Sequence, residues 1–549
     1  MKRYWKIGGI VVGCLLLILI ALPFLINVNS FRPKIESEAS SALGRPVSLG
    51  NLSLSILSGS IGVENISIGD DPAFSKSPFI TAKSLKLDVK LMPLIFSKQL
   101  EVTEIELKEP EISLIRAANG TWNFSNLGGG QAKSASADKS SGSTPQSLAV
   151  GELEIENGKL TVTRAGTNAK PQVFDKVNIE MKNFSFTSRF PFEMSAGLPG
   201  DGKAELNGEA GPINPANAAA TPFDASIKVT NMNLAASGFI DPASGIAGIV
   251  SLDGKVNSDG TVAKGTGKIT CTNVKLSPRG SPSPKAVDVT YAANTDLIKE
   301  SGTITQGDVA VGRAVAHLTG TYQTQGASEV VNLKVNAPDM PVDELEAMLP
   351  ALGVILPSGS RLTGGTLSAD LSVTGPVDKA VVTGPVRLSN TKLANFDLGS
   401  KLGALQAFTG KTGGSTDTTI QNASLNAHVA PEGTRADAIN LTVPAIGVIT
   451  GAGTISPSGA LDFKMSANLQ GGMAGGLTQR VGMGGGGNSI PFSIEGTTSN
   501  PKFVPNVGAL ATSAATSAIE GAISGKVPGG ASSAGASALG GLLGGKKKK

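Results

Sequence analysis

Leu85-Lys86-Leu87-Asp88-Val89-Lys90-Leu91 sets an aliphatic side chain at every second position and a charge between each pair. A strand sends successive side chains to opposite faces, so this run builds one apolar face and one wet face. The same period of two governs Leu52-Ser53-Leu54-Ser55-Ile56 and, far downstream, Leu461-Asp462-Phe463-Lys464-Met465-Ser466-Ala467-Asn468-Leu469. Leu153-Glu154-Ile155 and Leu160-Thr161-Val162 flank Asn157-Gly158. That dipeptide predicts a hairpin, because a type I′ turn needs positive φ at both central residues. Continued along the chain, these patterns predict about 25 short strands. Helices are few. Ser30 to Leu43 has Pro33 near its start and Gly44 just past its end, the asymmetry of helix termini. Val342, Leu345, Met348 and Leu349 share one face of a short helix ended by Pro350, and Leu398, Leu402, Leu405 and Phe408 suggest another. Both later helices are expected to cap or plug the sheet.

Composition agrees with a sheet. Glycine supplies 70 of 549 residues and charged residues only 16%, against about 25% charged in an ordinary soluble domain. Glycine costs roughly 1 kcal/mol relative to alanine within a helix, which argues against a helical bundle. A hydrophobic content of 40% excludes global disorder. The net charge of +4 lies at the ends: Lys2, Arg3 and Lys6 precede the first apolar run and Lys546 to Lys549 close the chain. Residues 27 to 545 hold 40 basic and 43 acidic residues. No basic face is evident, so no nucleic-acid partner is expected.

Ile7 to Ile26 is a continuous apolar run of twenty residues. At about 1.5 Å per residue it matches the roughly 30 Å of a bilayer core. Ile7, Val11, Leu15, Leu19, Leu22 and Ile26 would face lipid, and Lys2, Arg3 and Lys6 favour a cytoplasmic N-terminus with the body exported. A cleaved signal peptide would be shorter and end in a small-residue site. A lipoprotein signal at Val11-Val12-Gly13-Cys14 would be followed by a polar tether, where this chain continues LLLILI. Cys14 and Cys271 supply no disulfide framework and no metal-ligand spacing. Cys271 is expected to be a buried, inert thiol.

Catalytic patterns are lacking. Gly410-Lys411-Thr412 ends like a phosphate-binding loop, but the required first glycine is Leu405. Gly265-Thr266-Gly267 sits inside an alternating run and lacks a third glycine and a following helix. His317 and His428 fall in strand patterns and read as structural or surface histidines. No enzyme, metal or cofactor is expected. Gly128 to Ser147 reads as a flexible linker, Gly471 to Gly487 is glycine-rich, and the last forty or so residues bury too little to order.

The first 130 residues resemble the AsmA family of bacterial envelope proteins. The likeness rests on the apolar anchor and on Ala42-Leu43-Gly44-Arg45-Pro46-Val47, followed by Leu91-Met92-Pro93-Leu94. It continues in Ile105-Glu106-Leu107 before Pro110-Glu111-Ile112, and in Asn119-Gly120-Thr121-Trp122-Asn123-Phe124. A second block is similar to the family's C-terminal region: Pro341 to Gly353, Gly364-Gly365-Thr366-Leu367, Gly375-Pro376-Val377, Ile490-Pro491-Phe492-Ser493-Ile494-Glu495-Gly496 and Asn500-Pro501-Lys502-Phe503. From about 150 to 330 only the strand pattern matches.

The resemblance implies a mainly β fold: an elongated, curled antiparallel β-sheet groove with a few short helices, preceded by one N-terminal transmembrane helix. The expected division is an anchor at 1–27, an AsmA-like N-terminal β region at 28–127, a linker at 128–147, a middle β-groove region at 148–338, an AsmA-like C-terminal β region at 339–505 and a tail at 506–549. The location implied is the inner membrane, with the body in the periplasm. The partners implied are inner-membrane lipid, with glycerophospholipid acyl chains as ligand, and envelope or outer-membrane proteins. On such a groove Leu52, Leu54, Leu85, Leu87, Val89, Leu461, Phe463 and Met465 are the candidate lipid contacts, with either strand parity able to face inward. Three alternatives stay open at this stage: a closed β array with no ligand, a factor in outer-membrane protein assembly, and a scaffold or adhesin.

Overall fold

The computed structural model describes residues 28 to 505, apart from 56–57, 91, 94–100, 118, 120, 126–148, 166–170, 215–219, 241–243, 326–327, 402–415 and 470–488. The expected anchor, linker, glycine-rich segment and tail therefore lie largely or wholly outside the described residues. Among the described residues no helix is long and apolar enough to cross a membrane. The chain is mainly β, with twenty-six strands assigned to one mixed sheet and only short helices.

The chain divides into two compact units. The first comprises Met1–Met340, Glu344–Val354 and Asp370–Val381, and the second comprises Pro341–Asp343, Ile355–Ala369 and Val382–Lys549. The first unit opens with a 3-10 turn, Val28–Phe31, and helix α1, Arg32–Leu43. Pro33 is tolerated in its first turn and Gly44 ends it in the left-handed conformation, with φ 65°. Strands follow as β1 Val47–Ser48, β2 Leu52–Ser55, β3 Ser60–Gly69, β4 Pro78–Val89, β5 Val102–Lys108, β6 Glu111–Arg116 and β7 Ala149–Arg164. Next come β8 Gln172–Ser185, β9 Phe190–Leu198, β10 Gly202–Ala210, β11 Phe223–Asn233 and β12 Ala247–Ser258. The series continues with β13 Val262–Lys275, β14 Val287–Asp296, β15 Ser301–Val311, β16 Ala314–Gln325 and β17 Ser328–Pro341.

From β7 to β17 each strand pairs antiparallel with the next. The expected purely antiparallel sheet needs correction: β5 and β6 both run parallel to β7. The expected hairpin at Asn157-Gly158 is also absent, because β7 continues through it for 16 residues. Asn157 does take a positive φ of 51°. That conformation serves a bulge, with the β7–β8 register shifting between Ile155 and Gly158.

The second unit contains the short helix α3, Leu398–Lys401, and strands β20 Val381–Ala394, β21 Thr418–Ala430, β22 Gly433–Val443, β23 Gly447–Ile455, β24 Leu461–Leu469, β25 Ser489–Thr497 and β26 Asn500–Pro505, paired antiparallel in that order. Strand β19 Thr366–Pro376 is divided between the units after Ala369, while β18 Arg361–Thr363 belongs to the second. Its core joins Phe396, Leu398, Val443, Ile449, Met465, Ala467, Ile490 and Phe492. Leu398 thus plugs this face, as expected, while Leu402, Leu405 and Phe408 lie outside the described residues. The other expected helix is α2, Val342–Glu346; Val342 is buried, and Met348, just past its end, packs with Ala351 on Val274 and Val311.

Candidate functional site

Residues directly opposite in a ladder project to the same face, so the register can be followed strand by strand across the first unit. One row begins Leu52–Val63–Leu85–Leu107 and passes to Ile155 and Ile179. It goes on through Met194, Leu206 and Ile227. The neighbouring row runs Leu54–Ile61–Leu87–Ile105–Leu153–Met181–Phe192. Two adjacent lines of large aliphatic and aromatic side chains therefore cross β2 to β9 without a polar interruption. Most are only half-buried, and Ile61 is 38% exposed. A second layer packed on them would leave them dry, as in a closed core.

The face changes character farther along. The first row continues from Ile227 to Gly254, Gly267 and Tyr291. The Tyr291 ring lies across the glycines: a methyl on Gly267 would stand 3.2 Å from its edge, and one on Gly254 3.1 Å from its hydroxyl. Burial raises the pKa of this phenol. Cys271 joins the same apolar surface between Val250 and Val287. Burial, then the nearby Asp288, pushes its thiol up, which keeps it protonated and unreactive.

The opposite face is charged. Lys86, Glu106, Glu154, Glu180 and Glu193 stand in one cross-strand row. Like charges in that arrangement oppose one another, and lysines relieve part of it. Lys108 bridges Glu106 at 2.5 Å and Glu156 at 3.1 Å, Lys86 reaches Glu104 at 3.2 Å, and Lys182 pairs with Glu180 at 2.5 Å. Carboxylate oxygens of Glu106, Glu154 and Glu156 converge within 4.8 Å; the Lys108 ammonium bridges Glu106 and Glu156. His317 belongs to this wet face, half-exposed and 2.7 Å from Asp308.

The eight candidate contacts separate by unit. Leu54, Leu85 and Leu87 lie half-buried on the two rows, Leu52 is buried at the start of one, and Val89 is buried at their edge against Val102 and Val150. In the second unit Phe463 and Met465 share a face with Ile494 and Phe492, while Leu461 opposes Ile455. Met465 is 7% exposed and Ala467 fully buried, so that surface is a filled core. Ile7, Val11, Leu15, Leu19, Leu22, Ile26, Lys2, Arg3 and Lys6 lie outside the described residues.

Left-handed residues line up across neighbouring strands. Asn65 of β3, Glu109 between β5 and β6, Asn157 of β7 and Lys176 of β8 all have φ near 50° and border one shallow depression. Register shifts mark bulges at Asn157 of β7 and at Lys176 of β8, and a bulge bends its strand and increases local twist.

Sequence reading missed a buried polar knot. Arg45, Asp70 and Asn123 are 6%, 6% and 1% exposed. The Arg45 guanidinium donates to the Asn123 carbonyl at 2.8 Å and stands 3.6 Å from both Asp70 and Asp71. The Asn123 amide donates to Asp70 at 2.9 Å and to the Ser113 carbonyl at 2.8 Å, and its oxygen accepts from the Ile115 N–H at 3.0 Å. Two of the motifs that carry the family likeness, at 42–47 and 119–124, thus meet at one carboxylate. The adjoining charges Asp70-Asp71 between a strand and Pro72 were the available signal.

The described residues thus define a mainly β protein whose repetitive sheet carries a long apolar face in its first unit. The AsmA family model matches residues 1–361, more than half of the chain, and the chain belongs to that family. The match takes in the middle region, where only the strand pattern is similar, and stops within the second block of similarity. No curated protein and no solved structure matches the chain.

Proposed function

We propose that this protein holds lipid acyl chains on the apolar face of its first unit, as a membrane-anchored, non-enzymatic carrier serving phospholipid transport or integrity at the bacterial outer membrane. The observation that carries the reading is the pair of unbroken apolar rows from β2 to β9, most of whose side chains are half-buried. An acyl chain laid on them leaves water at roughly 0.8 kcal/mol per methylene, while a headgroup stays wet beyond the sheet. The bulges at Asn157 and Lys176, which increase strand twist, support a curled surface, and membership of an envelope-associated family supports the setting. Movement along such a surface needs no bond making or breaking. Its partners would be inner-membrane glycerophospholipid and envelope proteins, with the body in the periplasm and residues 7–26 in the inner membrane.

Photo-crosslinking residues at alternating positions test this directly. Crosslinkers at 85 and 107 should capture phospholipid, and those at 86 and 106 should not. Equal capture at both parities, or none alongside lipid-free mass spectra of detergent-extracted protein, would overturn the proposal.

A further inference from the structure

The outer edge of β1 and β2 has no neighbouring strand among the described residues. Its inward groups are used by β3: Gly50 N–H donates to Glu64 and Glu64 N–H to the Asn51 carbonyl. The outward groups should be open to any strand that approaches, as at other sheet edges. They are instead taken by side chains. Val47 N–H donates to Ser40 Oγ at 2.9 Å, Leu49 N–H to Glu36 Oε1 at 2.8 Å and Leu52 N–H to Asn29 Oδ1 at 2.8 Å. The Leu52 carbonyl accepts from Asn29 Nδ2 at 3.2 Å, so one amide side chain satisfies both edge groups of that residue as a paired strand would. Arg32 reaches the Gly50 carbonyl at 3.5 Å and lies 3.9 Å from Glu36.

Asn29, Arg32, Glu36 and Ser40 recur at intervals of three, four and four, which is one face of a helix. That face supplies the acceptors for the Val47, Leu49 and Leu52 amides. Alanine or leucine in their places would fold into the same helix and leave the edge amides open to water.

We propose that α1 and the turn before it form an edge cover whose side chains occupy the strand-docking groups of β1–β2 and so prevent a second copy of this chain from pairing there. The second copy is the natural occupant of the uncovered edge: the same groups on a two-fold related chain are complementary to themselves. The inference is independent of lipid carriage.

The test uses the full chain in detergent, with Cys14 and Cys271 changed to serine and Ser53→Cys as a crosslinking handle on the exposed edge. In Asn29→Ala/Glu36→Ala/Ser40→Ala, the Val47, Leu49 and Leu52 amides should exchange with deuterium about tenfold faster. A short bis-maleimide should then trap a dimer that the parent does not form. Glu36→Gln, which keeps an acceptor, should behave as the parent. Unchanged exchange in the triple variant, or equal crosslinking in the parent, would overturn the proposal. Faster exchange with no crosslinked dimer overturns it too, since the edge would then be open and take no strand.

Discussion

Arg45 has two carboxylates and a backbone carbonyl around it and almost no water. Removing one partner from a buried pair leaves the other charge unsolvated, which typically costs about 3–5 kcal/mol. Arg45→Ala should lower the denaturation midpoint by that measure, whereas Lys83→Ala, which breaks an exposed pair with Glu109 at 2.7 Å, should cost less than about 1 kcal/mol. Glu154 gives a pH-dependent counterpart. Burial, and then Glu156 and Glu106, raise its carboxyl pKa above the ordinary 4.5. The folded state therefore keeps a proton that the unfolded chain has already released, and ionised Glu154 opposes folding above that range. Glu154→Gln should raise the melting temperature at pH 7, with the gain closing as pH falls below 4.5. Thermal melts across that interval read the difference; a gain that persisted in acid would show that packing, not charge, was responsible.

At the scale of elements, alternation made the strands legible but not their partners. Leu85, Leu87 and Val89 would alternate identically in a parallel or an antiparallel ladder, so the parallel pairing of β5 and β6 with β7 left no trace in the pattern. Asn157-Gly158 shows a second limit. A turn and a bulge both require positive φ, and the dipeptide reports the dihedral without reporting whether the chain reverses. The Arg45 knot was opaque for a third reason: its three residues come from segments up to 78 positions apart. The bulge at Asn157 can be tested through the same dihedral. Asn157→Ala should destabilise by about 1–2 kcal/mol, since the left-handed conformation is disfavoured for a residue with a plain Cβ. Asn157→Gly should be close to neutral, and urea midpoints distinguish the two.

Across the whole molecule, the same period of two produces two different surfaces. In the first unit the rows through Leu85 and Leu87 stay largely half-buried, while in the second unit Met465, Ala467, Ile490 and Phe492 close into a dry cluster around Phe396 and Leu398. Sequence grouped Leu85 with Met465 because both alternate with charge; only the packing of a loop and short helix over the second face separates them. A carboxylate placed on each surface should expose the difference. Leu85→Glu should cost about 1–2 kcal/mol, the value of an incompletely buried aliphatic side chain, and the protein should remain folded. Ala467→Glu buries an unpaired charge in filled space and should cost more than about 4 kcal/mol. If the half-buried rows hold acyl chains, Leu85→Glu should also reduce co-purifying phospholipid several-fold at nearly parental stability. A Leu85→Glu protein as unstable as Ala467→Glu would mean that the first face is packed shut, and a folded one with parental lipid content would mean that the lipid sits elsewhere.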